Sequence, residues 1–354
     1  MPRTAVVFSP EYYKHNTGKN HPESAKRLHA IVKELRQGQL SQSRKWQFVK
    51  PEKASVDDLI LIHDKRYIKK VRDICRSGGG LLDTGDTIVS SETFDVARYA
   101  VGGAVKAVCL VMQGCYENSF ALVRPPGHHA TRHYGLGFCV FNNVAIATKL
   151  LLRDFKLKRV LILDIDSHHG NGTQQAFIGT DEVLYISLHE NPRDFPGTGF
   201  AQEVGEGRGC GHTVNIPLPF GTDDQTYLKA WNEIVVPIAL QYRPQFVLVS
   251  AGLDCHYADP VGELSLSVLG YNKIFQSISS LAGRSCSGKL ALVLEGGYDV
   301  KYIGKIAASA IATMSGSTYT VNDKVPVSNL FVKDEGKNIM KEVKEIQRNY
   351  WQLR

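Results

Sequence analysis

Five short apolar runs, evenly interleaved with helical patterns, restrict this chain to a narrow set of folds. Strands are expected at Ser119–Val123, Arg159–Leu163, Val183–Leu188, Phe246–Ser250 and Leu290–Leu294, after an earlier one at Thr4–Phe8. Helices are expected between them at about Val140–Arg153, Gln225–Gln241 and Ser267–Ala282, with Tyr302–Met314 after the last strand. Apolar runs of this length joined by helices predict an α/β fold with a parallel sheet covered on both faces. Upstream, the spacing predicts helices over Ala25–Arg36, Val56–Ile62, Tyr67–Arg76 and Phe94–Met112. The pair Gly102–Gly103 inside the last of these should mark close packing. Ser77–Gly80 reads as a glycine break and Gly85–Ser91 as a loop, while the charged tail from Lys333 reads as a surface helix. No repeat, low-complexity tract or linker divides the 354 residues, so a single domain over residues 1–354 is expected.

All five runs end in polar or glycine-rich loops. They lead into Arg124-Pro125-Pro126-Gly127-His128-His129, into Asp164, Asp166 and His168, into His189-Glu190, into Ala251-Gly252-Leu253-Asp254, and into Glu295-Gly296-Gly297-Tyr298. In open parallel sheets ligands bind beyond the carboxyl ends of the strands. The densest loop follows Val160: Asp164, Asp166 and His168 occupy alternate positions, which an extended segment points to one side. Like charges buried together need a cation among them, and Asp with His suits zinc or a similar divalent ion. An isolated Asp-x-His is common as a polar strand cap; five such strand ends at once are not explained by turn chemistry. Asp166, His168 and Asp254 make three ligands and leave a fourth position for water or substrate. His128 and His129 offer a general base and a second donor, and Tyr298 a donor to a developing oxyanion. The set reads as metal-assisted hydrolysis of an amide.

The formal charge of +7 is modest for this length and does not define a nucleic-acid surface; Lys65–Lys70 reads as a solvated helix face. Seven cysteines, irregularly spaced and without a C-x-x-C pair, suggest reduced thiols inside a cell, cytoplasmic or nuclear, and packing roles for Cys139 and Cys255 rather than redox control. No export segment or membrane span is expected.

The segments RPPGHHA, GFCVFNN, DIDSHHGNGTQ, YISLHE, FPGTG, AGLD and EGGY, in this order from His21-Pro22-Glu23 to about Tyr302, resemble the zinc-dependent histone deacetylases, in particular class II-like and bacterial members. The resemblance implies the arginase-deacetylase fold, a central parallel eight-stranded sheet between helices. It implies zinc on Asp166, His168 and Asp254, His129 as base and then acid, His128 as its electrostatic partner, and Asp164 and Asn171 orienting the two histidines. Tyr298 would polarise the carbonyl. Phe138 and Phe195, with Gly137, would wall a narrow channel for an acyl-lysine, and Asp86 would hold the substrate backbone at the rim. Structural potassium is implied at Asp164, Asp166, His168, Ser187 and Leu188. An outer potassium site maps onto Phe177, Thr180 and Val183, with His212 where some members have Tyr. Asn171 follows the class II pattern, and Ser167 replaces an apolar residue between the ligands with its side chain expected to point away from the metal.

The implied substrate is an acetylated or otherwise acylated lysine in a protein or peptide. An acetylpolyamine deacetylase on the same scaffold would place a glutamate near the channel mouth, where Asp259-Pro260-Val261-Gly262 has Val261. An arginase-like ureohydrolase needs two metals about 3.5–4 Å apart and more aspartates than this chain offers. A scaffold that binds acylated partners without cleaving them should lack the base or the tyrosine, and both are here. Iron(II) suits the same ligands as zinc.

Overall fold

The computed structural model describes residues 3–83 and 85–354. Eight parallel strands form one sheet: β1 (Thr4–Val7), β2 (Trp46–Val49), β5 (Asn118–Ala121), β6 (Val160–Asp164), β7 (Val183–Glu190), β8 (Thr213–Leu218), β9 (Phe246–Ala251) and β10 (Leu290–Leu294). Two further strands among the described residues, β3 (Gly79–Leu81) and β4 (Ile88–Ser90), pair as a small antiparallel hairpin. Across the sheet the order is β2-β1-β5-β10-β9-β6-β7-β8. Every residue of β6, β9 and β10 is buried, as expected for strands covered on both faces.

The expected α/β sheet is present, and the two strands that sequence reasoning missed are its two edges. Trp46–Val49 is a four-residue run between lysines with only Trp46 fully buried, so it shows no clear period. Thr213–Leu218 contains Asn215 and Pro217; proline is tolerated because β8 has a neighbour on one side only. The segment taken as a glycine break and a loop forms the hairpin instead. Gly79 has φ +108°, a conformation that side chains resist, and its packing against Ser90 leaves no room for a Cβ.

Gly102 and Gly103 do mark close packing. A Cβ on Gly103 would lie 2.6 Å from Val123 Cγ1, so helix Thr93–Met112 lies tightly against the chain that leads into residues 124–129. The C-terminal helix begins at Leu330, three residues before the expected start, where the Asn329 side chain accepts the Val332 N–H at 3.0 Å. It is not wholly a surface element: Gly336, Met340, Val343 and Gln347 are buried, and the helix packs on β8 at one edge of the sheet.

Sheet order places the site. The neighbours β5, β10, β9, β6 and β7 are dispersed along the chain, yet their carboxyl ends lie side by side. Asp164 sits in register with Ser187 on one side and Ser250 on the other.

Candidate active site at the strand ends

The carboxyl ends of β6 and β9 bring Asp166, His168 and Asp254 together, with one candidate ligand atom from each within 4.8 Å of the others. Backbone amides fix the carboxylates. Asp166 accepts the Gly296 N–H at 2.8 Å and the His168 N–H at 3.0 Å; Asp254 Oδ1 accepts the Ser167 N–H at 2.9 Å. Asp254 Oδ2 is buried and has no hydrogen-bond partner among the described residues. Gly252 and Gly296 are required here, since a Cβ on either would collide with Asp166 or Asp254. Burial and the charge of Asp166 push the Asp254 carboxyl up to about 7. Burial opposes ionisation of Asp166 too, but His128 and His168 hold that group well below the usual carboxylate range. Two enclosed carboxylates, an imidazole and an orphaned oxygen fit a divalent cation of the zinc type.

The adjacent histidines have opposite surroundings. His128 Nδ1 lies 3.2 Å from Asp164 Oδ2, and its Nε2 3.7 Å from Asp166. Burial disfavours its charge, but the two aspartates outweigh burial and raise it to about 10. His129 Nδ1 lies 2.8 Å from Asn171 Oδ1, an acceptor, so Nδ1 carries the hydrogen and Nε2 keeps its lone pair. Burial and then the neighbouring positive His128 press His129 well below the ordinary histidine value. Their surroundings thus push the two imidazoles in opposite directions, His128 toward its charged form and His129 toward its neutral one.

A cavity of about 350 Å³ opens above these groups, lined by His129, His168, Gly137, Phe138, Phe195 and Tyr298, with Asp86, Val261 and Phe220 nearer its mouth. Gly137 and Phe138 both have positive φ, +53° and +67°. A Cβ on Gly137 would sit 2.6 Å from His129 Cδ2 and 2.8 Å from Phe195 Cζ, so glycine lets the wall close on His129. The Phe138 and Tyr298 rings meet edge to face at 5.6 Å, as do those of Phe195 and His129 at 4.9 Å. Burial raises the Tyr298 phenol well above its ordinary value, which keeps its proton available for donation. A larger open groove of about 1100 Å³ near the C-terminus, lined by Arg243, Arg348 and Trp351, contains none of the strand-end groups.

Every residue expected in the metal set, the histidine pair and the channel therefore falls in one place. Ser187 and Leu188 lie on β7 beside Asp164, and Phe177, Thr180 and Val183 lie at the other end of that strand. His212 contacts Trp351 and Tyr242 at that far end. Cys139 and Cys255 are fully buried, and burial raises both thiols well above their ordinary value, so they suit packing rather than redox chemistry.

Sequence reasoning missed three carboxylates. Glu295 Oε2 accepts the Gly127 N–H at 2.6 Å and the His128 N–H at 3.2 Å, tying the histidine loop to the tyrosine loop. Asp259 accepts the N–H groups of Tyr298 at 2.6 Å and Val261 at 3.0 Å. Glu190 lies 3.4 Å from His168 Nε2. The only signal was their position at or beside strand ends, which does not reveal a partner.

A parallel α/β sheet carrying an Asp-His-Asp cluster and a histidine pair at its strand ends defines a hydrolase scaffold. The profile of the histone deacetylase domain matches residues 21–314. A probable deacetylase of Archaeoglobus fulgidus is 39% identical over 98% of both chains. Histone deacetylase 14, chloroplastic, of Arabidopsis thaliana is 35% identical over 88% of this chain and 77% of its own. A crystal structure of the HDA15 HD domain superposes with a TM-score of 0.88 at 33% identity, covering 99% of this chain and 95% of that one. The chain belongs to the histone deacetylase family.

Proposed function

We propose that this chain hydrolyses the amide of N6-acetyl-lysine in proteins or peptides, with zinc on Asp166, His168 and Asp254. The observation that carries the reading is the convergence of that cluster, a neutral His129 and the Tyr298 phenol on one aromatic-walled cavity. Zinc bound there supplies Lewis acidity toward water and the amide carbonyl. His129 Nε2 takes the proton of the attacking water and returns it to the leaving amine. Asn171 keeps that nitrogen free by holding the hydrogen on Nδ1. His128 remains charged between Asp164 and Asp166 and offsets negative charge as it develops. The Tyr298 O–H donates to the carbonyl oxygen. Phe138 and Phe195 accept the four-carbon stem of a lysine whose charge acetylation has removed, and Asp86 receives substrate backbone N–H groups at the rim. Potassium at Asp164, Asp166, His168, Ser187 and Leu188 would brace the β6–β7 register.

A second reading has support of its own. Val261 cannot pair with an ammonium group, but Glu263 also lines the mouth, together with Asp194. An acetylpolyamine carries an ammonium about one lysine stem away from its amide. Turnover of acetyl-lysine peptides and acetylspermidine, each with and without a zinc chelator, separates the readings. Chelator-sensitive turnover of the peptide is expected to exceed that of the polyamine. Faster polyamine turnover would replace the substrate, and chelator-resistant turnover would remove the metal.

A further inference from the structure

Glu190, at the end of β7, is nearly buried and has no task in the reaction above. Its Oε1 lies 3.4 Å from His168 Nε2. On the other edge of that ring, Nδ1 faces Asp166 Oδ1 at 3.3 Å and Asp254 Oδ2 at 3.6 Å. Glu190 Oε2 accepts the Ser167 hydroxyl at 2.5 Å and the Glu263 N–H at 2.7 Å. The Glu190 backbone N–H also donates to Ser167 O at 2.8 Å. The carboxylate is therefore clamped on one side and presented to the imidazole on the other.

A neutral imidazole carries one N–H. With that hydrogen on Nε2 against Glu190, the Nδ1 lone pair points into the aspartate cluster; with the hydrogen on Nδ1, the ring cannot ligate there. We propose that Glu190 is a positioning residue that holds His168 in its Nδ1-ligating tautomer, and that Ser167 holds Glu190. The Ser167 hydroxyl is spent on Glu190, and through it Ser167 supports the histidine that follows it. This inference rests on the metal reading above.

Glutamine at position 190 keeps the size but has one acceptor oxygen for three donors: the His168 ring, the Ser167 hydroxyl and the Glu263 amide. Carboxylates behind metal-ligating histidines typically contribute about 10–100-fold in metal affinity. The test is zinc affinity of the metal-stripped protein at pH 7, measured by competition with a chromophoric chelator, for wild type, Glu190→Gln and Ser167→Ala. Glu190→Gln is expected to bind zinc about 10–100-fold more weakly, and Ser167→Ala to weaken it less but in the same direction. Thermal melting of the metal-free proteins reports folding separately. Equal affinities in wild type and Glu190→Gln would overturn the proposal while leaving the metal site intact. Absence of zinc binding in wild type would overturn the metal reading, and this inference with it. Should Glu190→Gln not fold, an unchanged affinity in Ser167→Ala would be enough to reject it.

Discussion

At the floor of the cavity, Asp166, Asp254 and His128 are enclosed, the two carboxylates held by backbone amides and the imidazole by Asp164, whereas at its mouth Asp86, Asp194 and Glu263 stand in solvent. The floor has little freedom: Gly296 and Gly252 admit no side chain, and Asn171 and Asp164 orient the two imidazoles. The mouth is built from loop residues whose charges are screened by water. The difference separates chemistry, which needs fixed donors in a low-dielectric setting, from selection, which tolerates substitution.

Substitutions at the floor should therefore have much larger effects than substitutions at the mouth. His129→Ala removes the proposed base and is expected to lower kcat by about 10²–10⁴-fold with zinc content unchanged; steady-state kinetics with elemental analysis checks it, and near-normal turnover would assign the base elsewhere. Tyr298→Phe is expected to lower kcat by about 10²–10³-fold, again with zinc retained. Gly137→Ala forces a side chain between His129 and Phe195, and a loss in kcat/KM of at least about tenfold is expected. At the mouth, Glu263→Gln is expected to shift KM by only a few-fold, and only for substrates with a second positive charge. An equal loss on neutral and cationic substrates would blur the distinction between the two regions.

Low pH gives a further test of the enclosed side. His63 is buried with its Nδ1 donating to Thr131 O at 2.8 Å and its Nε2 accepting the Asn142 N–H at 2.9 Å, an arrangement that requires a neutral ring. Burial lowers it to about 4. Because the folded value lies below the unfolded value of about 6.5, the unfolded chain binds the proton first. The stability contribution is full above about pH 6.5 and is lost as pH falls toward about 4, on the order of 3 kcal/mol in all. Denaturant melts across this range should show that decline, and His63→Gln should flatten it.

Local pattern was enough to read the buried strands, because continuous apolar runs and the loops that end them are adjacent in the chain. It was not enough for β2 and β8: edge strands are short, half-exposed or interrupted by proline, so their pairing leaves little trace in composition. The histidine pair, the Asp166-His168-Asp254 cluster and Tyr298 were legible because strand ends advertise themselves. Glu295 and Asp259 were not, because their partners are backbone amides, which every residue possesses.

By itself the sequence determined which side chains stand at the strand ends and in what alternation. Only the tertiary structure decided that β10 lies between β5 and β9, and so placed Tyr298 and Glu295 beside the histidine loop. It likewise decided that Glu190 meets His168. Periodicity is a local property of the backbone, whereas strand order is set by how helices and sheet bury their apolar faces together, and contacts across the sheet follow from that order alone.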